Sequence, residues 1–308
     1  MAISIKIQNF IRKQLELKLL NVKPDVSIVN ESRSETPNYI PYTVSIDDNL
    51  IFPLKLSGLS QYYTEKAKNE MRAIASSSTM TYNIFCGINR TFALAFKGDN
   101  YTKFIPEVKR HPLNLDKNND RGKANIDAEL HNEKKVIMIE AKLFEPYYTN
   151  LTSSLKNIGK YKNSEYYNFS VFSNYEIEGW IKLFKHFEEQ IKNKKLTRFN
   201  AMQFIKHLLS IINNKDTFES NIEIELISLT WYASMSILDL GEFQHQIMSY
   251  DDETIAQTKK AINHIKMFLV EHGYKSVSVS SFDLENFIYS TNILEEFEEA
   301  IYLKRYLL

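Results

Sequence analysis

The sequence predicts an α/β sandwich, a central mixed β-sheet with helices on both sides. Three observations predict it. Two strand-like runs, 124–130 and 135–143, flank the polar tetrapeptide His131-Asn132-Glu133-Lys134 and read as a hairpin. A third run, Ile222 to Trp231, alternates at first and then turns apolar on both faces, as a strand buried in the same sheet does. The segments around these runs carry helical periodicity.

Length and composition suit that architecture. With 308 residues and 44% hydrophobic content, the chain can bury one large core or two small ones. No repeat or composition shift divides it. It is read as a single domain over 1–308, with a helix and irregular lead over 1–55, a core over 56–245 and a helical region over 246–308. Lys+Arg and Asp+Glu balance at 38 each, so nucleic-acid contact must come from local patches. The single cysteine, Cys86, excludes an intrachain disulfide framework and cysteine-cluster zinc sites. Residues 1–20 carry charges throughout and do not read as a signal peptide. The longest uncharged apolar stretch, Leu226 to Leu238, is thirteen residues and too short to span a bilayer. A soluble, cytoplasmic protein with no membrane partner is expected. There is no Gly-rich phosphate loop, no His-Glu-x-x-His and no Gly-x-Ser-x-Gly, and the seven histidines lack metal-ligand spacing.

In chain order, Ile3 to Leu20 is periodic (Ile7, Phe10, Ile11, Leu15, Leu19) and stops before Pro24. Residues 21–53 read as loops with a short strand at Tyr42 to Ile46. Ser60 to Ser76 reads as one helix with Ser60 as N-cap. Tyr63, Ala67 and Ile74 form its apolar stripe; Glu70 lies within the stripe and Glu65 on the opposite face. The hydroxyl-rich run Ser76 to Phe85 can cap helices or bond phosphates, and capping is the commoner use. After the hairpin come helices at Tyr175 to Asn193 and Thr197 to Ile212, with Asn200, Gln203 and His207 opposite the apolar face of the second. Then follow a helix at Thr254 to His272 stopped by Gly273, an edge strand at Lys275 to Ser281 and a closing helix at Asn292 to Leu303.

The hairpin carries the chemistry. Glu140, Lys142 and Met138 share one strand face. A four-residue loop from His131 pairs Leu130 with Lys135 and sets Asp127 opposite Met138, roughly 5 to 8 Å from Glu140 and Lys142. Two carboxylates that lose hydration together repel unless a cation lies between them. A hard divalent ion such as Mg²⁺ suits them, since it needs only a carboxylate or two plus waters. The plainer account is a rim Glu–Lys pair on a surface hairpin.

Asp127 followed thirteen residues later by Glu140-Ala141-Lys142 resembles the PD-(D/E)xK nuclease superfamily, although Ile126 stands where the proline of that name would be. The resemblance implies a restriction-endonuclease-like core with extra terminal helices. It implies a Mg²⁺-dependent deoxyribonuclease, with Mn²⁺ as a substitute, of restriction or defence type. Asp127 and Glu140 would be metal ligands, with the Ala141 carbonyl as a third, and Lys142 would act on the attacking water. Glu70 is the candidate for the further acidic ligand that members supply from a preceding helix; an ordinary solvated pair with Lys66 explains it equally well. Gln203 looks similar to a glutamine that approaches the site in parts of the superfamily, and an exposed polar helix face explains it too. Ser76 to Phe85 is similar to a Ser-Ser … Asn-x-Phe segment of some restriction-endonuclease-like bacterial proteins. Basic clusters flank the hairpin: Lys103, Lys109, Arg110, His111, Arg121 and Lys123 before it, then Lys156, Lys160 and Lys162 among Tyr161, Tyr166 and Tyr167, and Lys192, Lys194, Lys195 and Arg198 further on. They suit phosphate contacts, with the tyrosines stacking on bases or bonding phosphates. The expected partner is nucleic acid, DNA above all. A homodimer is an expectation for a symmetric duplex cutter only. Two other classes fit the same residues: a nucleic-acid-binding module without catalysis and a protein-interaction subunit.

Overall fold

A computed structural model describes residues 3–30, 39–88, 90–114, 123–148 and 151–307. Arg121, one of the basic candidates, lies outside the described residues. The centre is a five-stranded mixed sheet of β5 (Lys103–Arg110), β6 (Ala124–His131), β7 (Lys135–Lys142), β8 (Glu223–Thr230) and β9 (Val277–Asp283), in that spatial order. The first three strands are antiparallel neighbours, and β7, β8 and β9 run parallel. Two small antiparallel pairs stand apart from it: β1 (Ile28–Asn30) with β2 (Pro41–Thr43), and β3 (Leu94–Phe96) with β4 (Asp99–Tyr101). The expected strand at Tyr42 to Ile46 is therefore β2 shifted toward its start, because Ser45 caps a helix there in a capping box with Asp48.

The helices are α1 (Ile5–Val22), α2 (Ile46–Asn49), α3 (Glu65–Glu70), α4 (Ser77–Phe85), α5 (Glu145–Tyr148), α6 (Asn174–Lys192), α7 (Ala201–Asn213), α8 (Ala233–Ser236), α9 (Gln244–Glu271), α10 (Leu284–Tyr289) and α11 (Ile293–Glu296). The parallel connections run through α6 and α7 between β7 and β8, and through α9 between β8 and β9. Such crossovers put helices on the sheet faces and bury its central strands, and β7 is buried from Val136 to Ala141. One apolar cluster joins Ala128, Leu130, Ile137, Ile139 and Leu229 to Ile11 and Leu15 of α1, Ile84 of α4 and Phe287 of α10. The other joins Met138, Leu226 and Val279 to Trp180 of α6, Leu208 of α7 and Ile265 of α9.

The helix expected over Ser60 to Ser76 is broken. A 3-10 turn at Ser60–Tyr62 precedes the short α3, whose N-cap is Thr64, and Ala73 then bridges to Tyr42. The closing helix shrinks to α11 followed by a 3-10 stretch, Glu298–Tyr306. The C-terminal helix α9 begins earlier than its periodicity indicates, and Gly273, at φ 74°, stops the chain just beyond it. No helix among the described residues is long and apolar enough to cross a membrane.

Candidate active site

The hairpin pairs His131 with Val136, Leu130 with Ile137 and Glu129 with Met138. Its register is two residues away from the expected one. Asn132 causes the shift: its side chain accepts hydrogen bonds from the backbone N–H groups of Lys134 and Lys135, making an Asx turn one residue later than the predicted loop. A slip of two keeps the paired side chains, Ala128 to His131, on their expected faces. Asp127 thus ends up nearer Glu140 than Met138, and its Oδ2 accepts a hydrogen bond of 2.7 Å from the Ala141 backbone N–H.

Lys142, Gln203 and His207 all meet Glu140 at the carboxyl end of β7. Lys142 donates to Glu140 Oε1 in a close ion pair. Gln203 Nε2 donates to the same oxygen at 2.7 Å, and His207 Nδ1 lies 2.8 Å from Glu140 Oε2. Both come from one face of α7, which Asn200 starts by capping the Gln203 backbone N–H. That face is turned inward: His207 is 3% exposed and Gln203 half-buried. The reading of it as solvated is corrected. Its polar residues are needed because Glu140 itself is buried and requires donors.

The electrostatics divide the two carboxyls. Burial, and then the neighbouring Glu140 charge, push the Asp127 carboxyl well above the ordinary carboxylate range. Burial would raise Glu140 too, but Lys142 and then His207 more than offset it and hold Glu140 at about 2. Lys142 is raised although burial opposes this, because Glu140, Glu145 and Asp127 all favour its charged form. The site therefore favours a protonated Lys142 and an ionised Glu140, and it disfavours the charged form of Asp127.

Two acidic residues at the site escaped the sequence reading. Glu107, in the middle of β5, adopts φ 53°, a left-handed conformation that costs a non-glycine residue about 1–3 kcal/mol. Its carboxylate accepts from Ser78 Oγ at 3.0 Å and from Asn125 Nδ2, and its charge adds to the upward push on Asp127. A backbone departure of this kind leaves no mark in strand alternation. Glu145 accepts from Ser77 Oγ at 2.6 Å and from the Leu143 and Phe144 N–H groups, fixing the turn that follows Lys142. Of the hydroxyl run, Ser76 caps α4, the commoner of the two expected uses, while Ser77 and Ser78 tie that helix to acids beside the site.

Other expected participants lie elsewhere. Glu70 is exposed and pairs with Lys66 at 3.6 Å across one turn of α3, so the buried stripe that would have made it a ligand does not form. Tyr161 and Tyr167 are 3% and 2% exposed, so they pack in the core instead of facing bases. Lys162 and Lys192 both neutralise Glu188, Arg110 neutralises Glu129, and Arg198 pairs with Glu253.

The oxygens present fit a hard divalent ion. Glu140 Oε2 lies 2.8 Å from His207 Nδ1, Asp127 Oδ2 accepts from the Ala141 N–H, and the two carboxyl groups lie close enough for the Glu140 charge to push Asp127 up. Among the described residues, no group of three or more His, Cys, Asp or Glu is arranged to hold a metal by itself. Two carboxylates beside an open cleft suit Mg²⁺, which keeps waters and takes substrate phosphate oxygens; they do not make a zinc cage. The cleft has a volume of about 190 Å³ and is lined by Glu140, Lys142, Glu145, Arg198, Phe199 and Gln203, among others.

Residues 30–222 match the sequence model of a family described as restriction endonuclease associating with ARP. No curated protein and no solved structure matches the chain.

Proposed function

The chain belongs to the family of restriction endonucleases associating with ARP, and from that premise we propose that it is a metal-dependent nuclease that hydrolyses phosphodiester bonds, in DNA above all. The observation that carries this is the meeting of Asp127, Glu140 and Lys142 in one buried patch where two carboxyls share one ammonium. Asp127, Glu140 and the Ala141 carbonyl would hold Mg²⁺, with Mn²⁺ as a substitute. The bound ion supplies Lewis-acid stabilisation of charge on the scissile phosphate and a lowered pKa for attacking water.

The protein's own groups do the rest. Gln203 and His207 fix Glu140 in one rotamer from the rigid α7. The Ala141 N–H fixes Asp127 in the same way. Lys142 is positively charged at rest and offsets negative charge that grows on the phosphate oxygens. As an ammonium, Lys142 Nζ would donate a hydrogen bond that orients the attacking water, and it would take that water's proton only after releasing its own to solvent. The apolar side chains of Phe199 and Phe204 wall the cleft and limit bulk water. Association with ARP, named in the family description, is extended to this chain as part of the same proposal.

The test is cleavage of supercoiled plasmid and of single-stranded DNA with Mg²⁺, Mn²⁺ or EDTA, wild type beside Lys142→Ala. Metal-dependent cutting that disappears in the variant is the expected result. Binding without cutting would make the protein a binding module, and neither binding nor cutting would turn attention to a protein partner.

A further inference from the structure

We propose that Lys160 and Lys206 form a clamp for a backbone phosphate of the nucleic acid, set beside the carboxylate site; this rests on the nuclease reading. Lys160 lies in a 3-10 turn, Ile158–Lys162, and Lys206 lies in α7. Their Nζ atoms stand 5.1 and 5.2 Å from the centroid of a single ring, that of Tyr161. The ring cannot drift, because Tyr161 is buried and stacked on Phe184 at 4.7 Å between centroids.

Neither ammonium has an acidic partner among the described residues. Lys206 reaches only the Ser154 carbonyl, at 3.5 Å, and Lys160 only the Tyr161 ring. Their basic neighbours differ in this respect: Lys162 and Lys192 are both taken by Glu188, and Arg198 by Glu253. Both lysines are half-buried. Burial lowers the pKa of each, and the charge of Lys160 lowers that of Lys206 further. Two like charges held at one ring in a partly dehydrated place repel, and an anion between them removes the repulsion. A lysine ammonium is a point-charge binder of phosphate and needs no bidentate geometry.

Continuity with the cleft identifies the anion. Helix geometry places Lys206 about 4.5 Å along α7 and about 60° around it from Gln203, which holds Glu140. Ser154, which Lys206 touches, sits in the 3-10 turn whose first residue, Leu151, lines the cleft. A strand whose scissile phosphate lies at Glu140 and Lys142 would carry a flanking phosphate past this wall.

The test is equilibrium binding of a labelled oligonucleotide in EDTA, over a salt series, so that catalysis does not enter. The double variant Lys160→Gln/Lys206→Gln is expected to bind about tenfold more weakly at low salt. Its slope of log K against log salt should be shallower by about 0.7–0.9, the share of one phosphate. Lys206→Arg should keep the wild-type slope, and Lys182→Gln, an exposed lysine on α6, should also keep it. An unchanged slope and affinity in the folded double variant would overturn the clamp. Metal-dependent cutting by wild type with that unchanged slope would leave the nuclease reading intact. A lost slope without any cutting would keep the clamp and remove the nuclease. Wild type that binds no nucleic acid at low salt would overturn both.

Discussion

Glu129 and Glu140 are buried carboxylates on neighbouring strands of one sheet, 2% and 3% exposed, and both are held below their ordinary range, but only Glu140 has a second carboxyl, Asp127, beside it. Glu129 has two nitrogen partners to itself, Arg110 and His131, each 2.6 Å away. Glu225, on the other side of β7, is treated likewise by Lys97, Lys135 and Ser280. Both carboxylates are held below their ordinary range because these partners outweigh burial. At the carboxyl end of β7, Glu140 and Asp127 share Lys142, and Asp127 is pushed up. Two clusters that support the sheet are closed and balanced; the third is short of positive charge. Unbalanced burial of this sort is expensive, and it persists where a ligand relieves it.

Predictions that separate the two kinds of cluster follow in order of size. Lys142→Ala should lower metal-dependent cutting by about 10³-fold, the loss of proton-transfer and charge-stabilising work together, measured as initial rate on plasmid. Glu129→Gln should leave cutting intact yet lower unfolding free energy by about 3 kcal/mol in urea melts, because Arg110 is left without its counter-charge. Next comes pH. Asp127 has a raised folded pKa, so the stability it contributes is full below the ordinary carboxylate value and is lost as pH rises through the folded value. Glu129 has a lowered one, so its contribution is present above the ordinary value and is lost as pH falls. In metal-free protein, Asp127→Asn should therefore flatten the decline of stability on the alkaline side, and Glu129→Gln should flatten the decline on the acid side. Gln203→Ala should reduce cutting about tenfold, the share of one hydrogen bond to a charged group, with the same metal preference. Glu70→Ala should change cutting not at all and stability by no more than about 0.5 kcal/mol, as befits an exposed pair.

The same contrast explains what the sequence disclosed. The hairpin, β8, α1 and α6 were legible because their apolar periods match what they bury, as at Ile7, Ile11, Leu15 and Leu19. Asp127, Glu140 and Lys142 were legible because strand alternation fixes faces and survives a register slip of two. Glu70 misled because its stripe assumed one continuous helix, whereas the bridge between Ala73 and Tyr42 breaks it. The Gln203 face misled for the opposite reason: polar periodicity reads as solvent, and only Glu140 arriving from another strand makes it interior. Glu107 had no local signal, since a positive φ in mid-strand is imposed by tertiary contacts with Ser78 and Asn125.

The most direct measurement is thermal melting with and without Mg²⁺ for wild type, Glu129→Gln and the double variant Asp127→Asn/Glu140→Gln. A cation that binds the folded state raises Tm. The shift should appear in wild type and in Glu129→Gln and vanish in the double variant. A shift that persists in the double variant, or is absent from wild type, would contradict a cation site at the carboxyl end of β7.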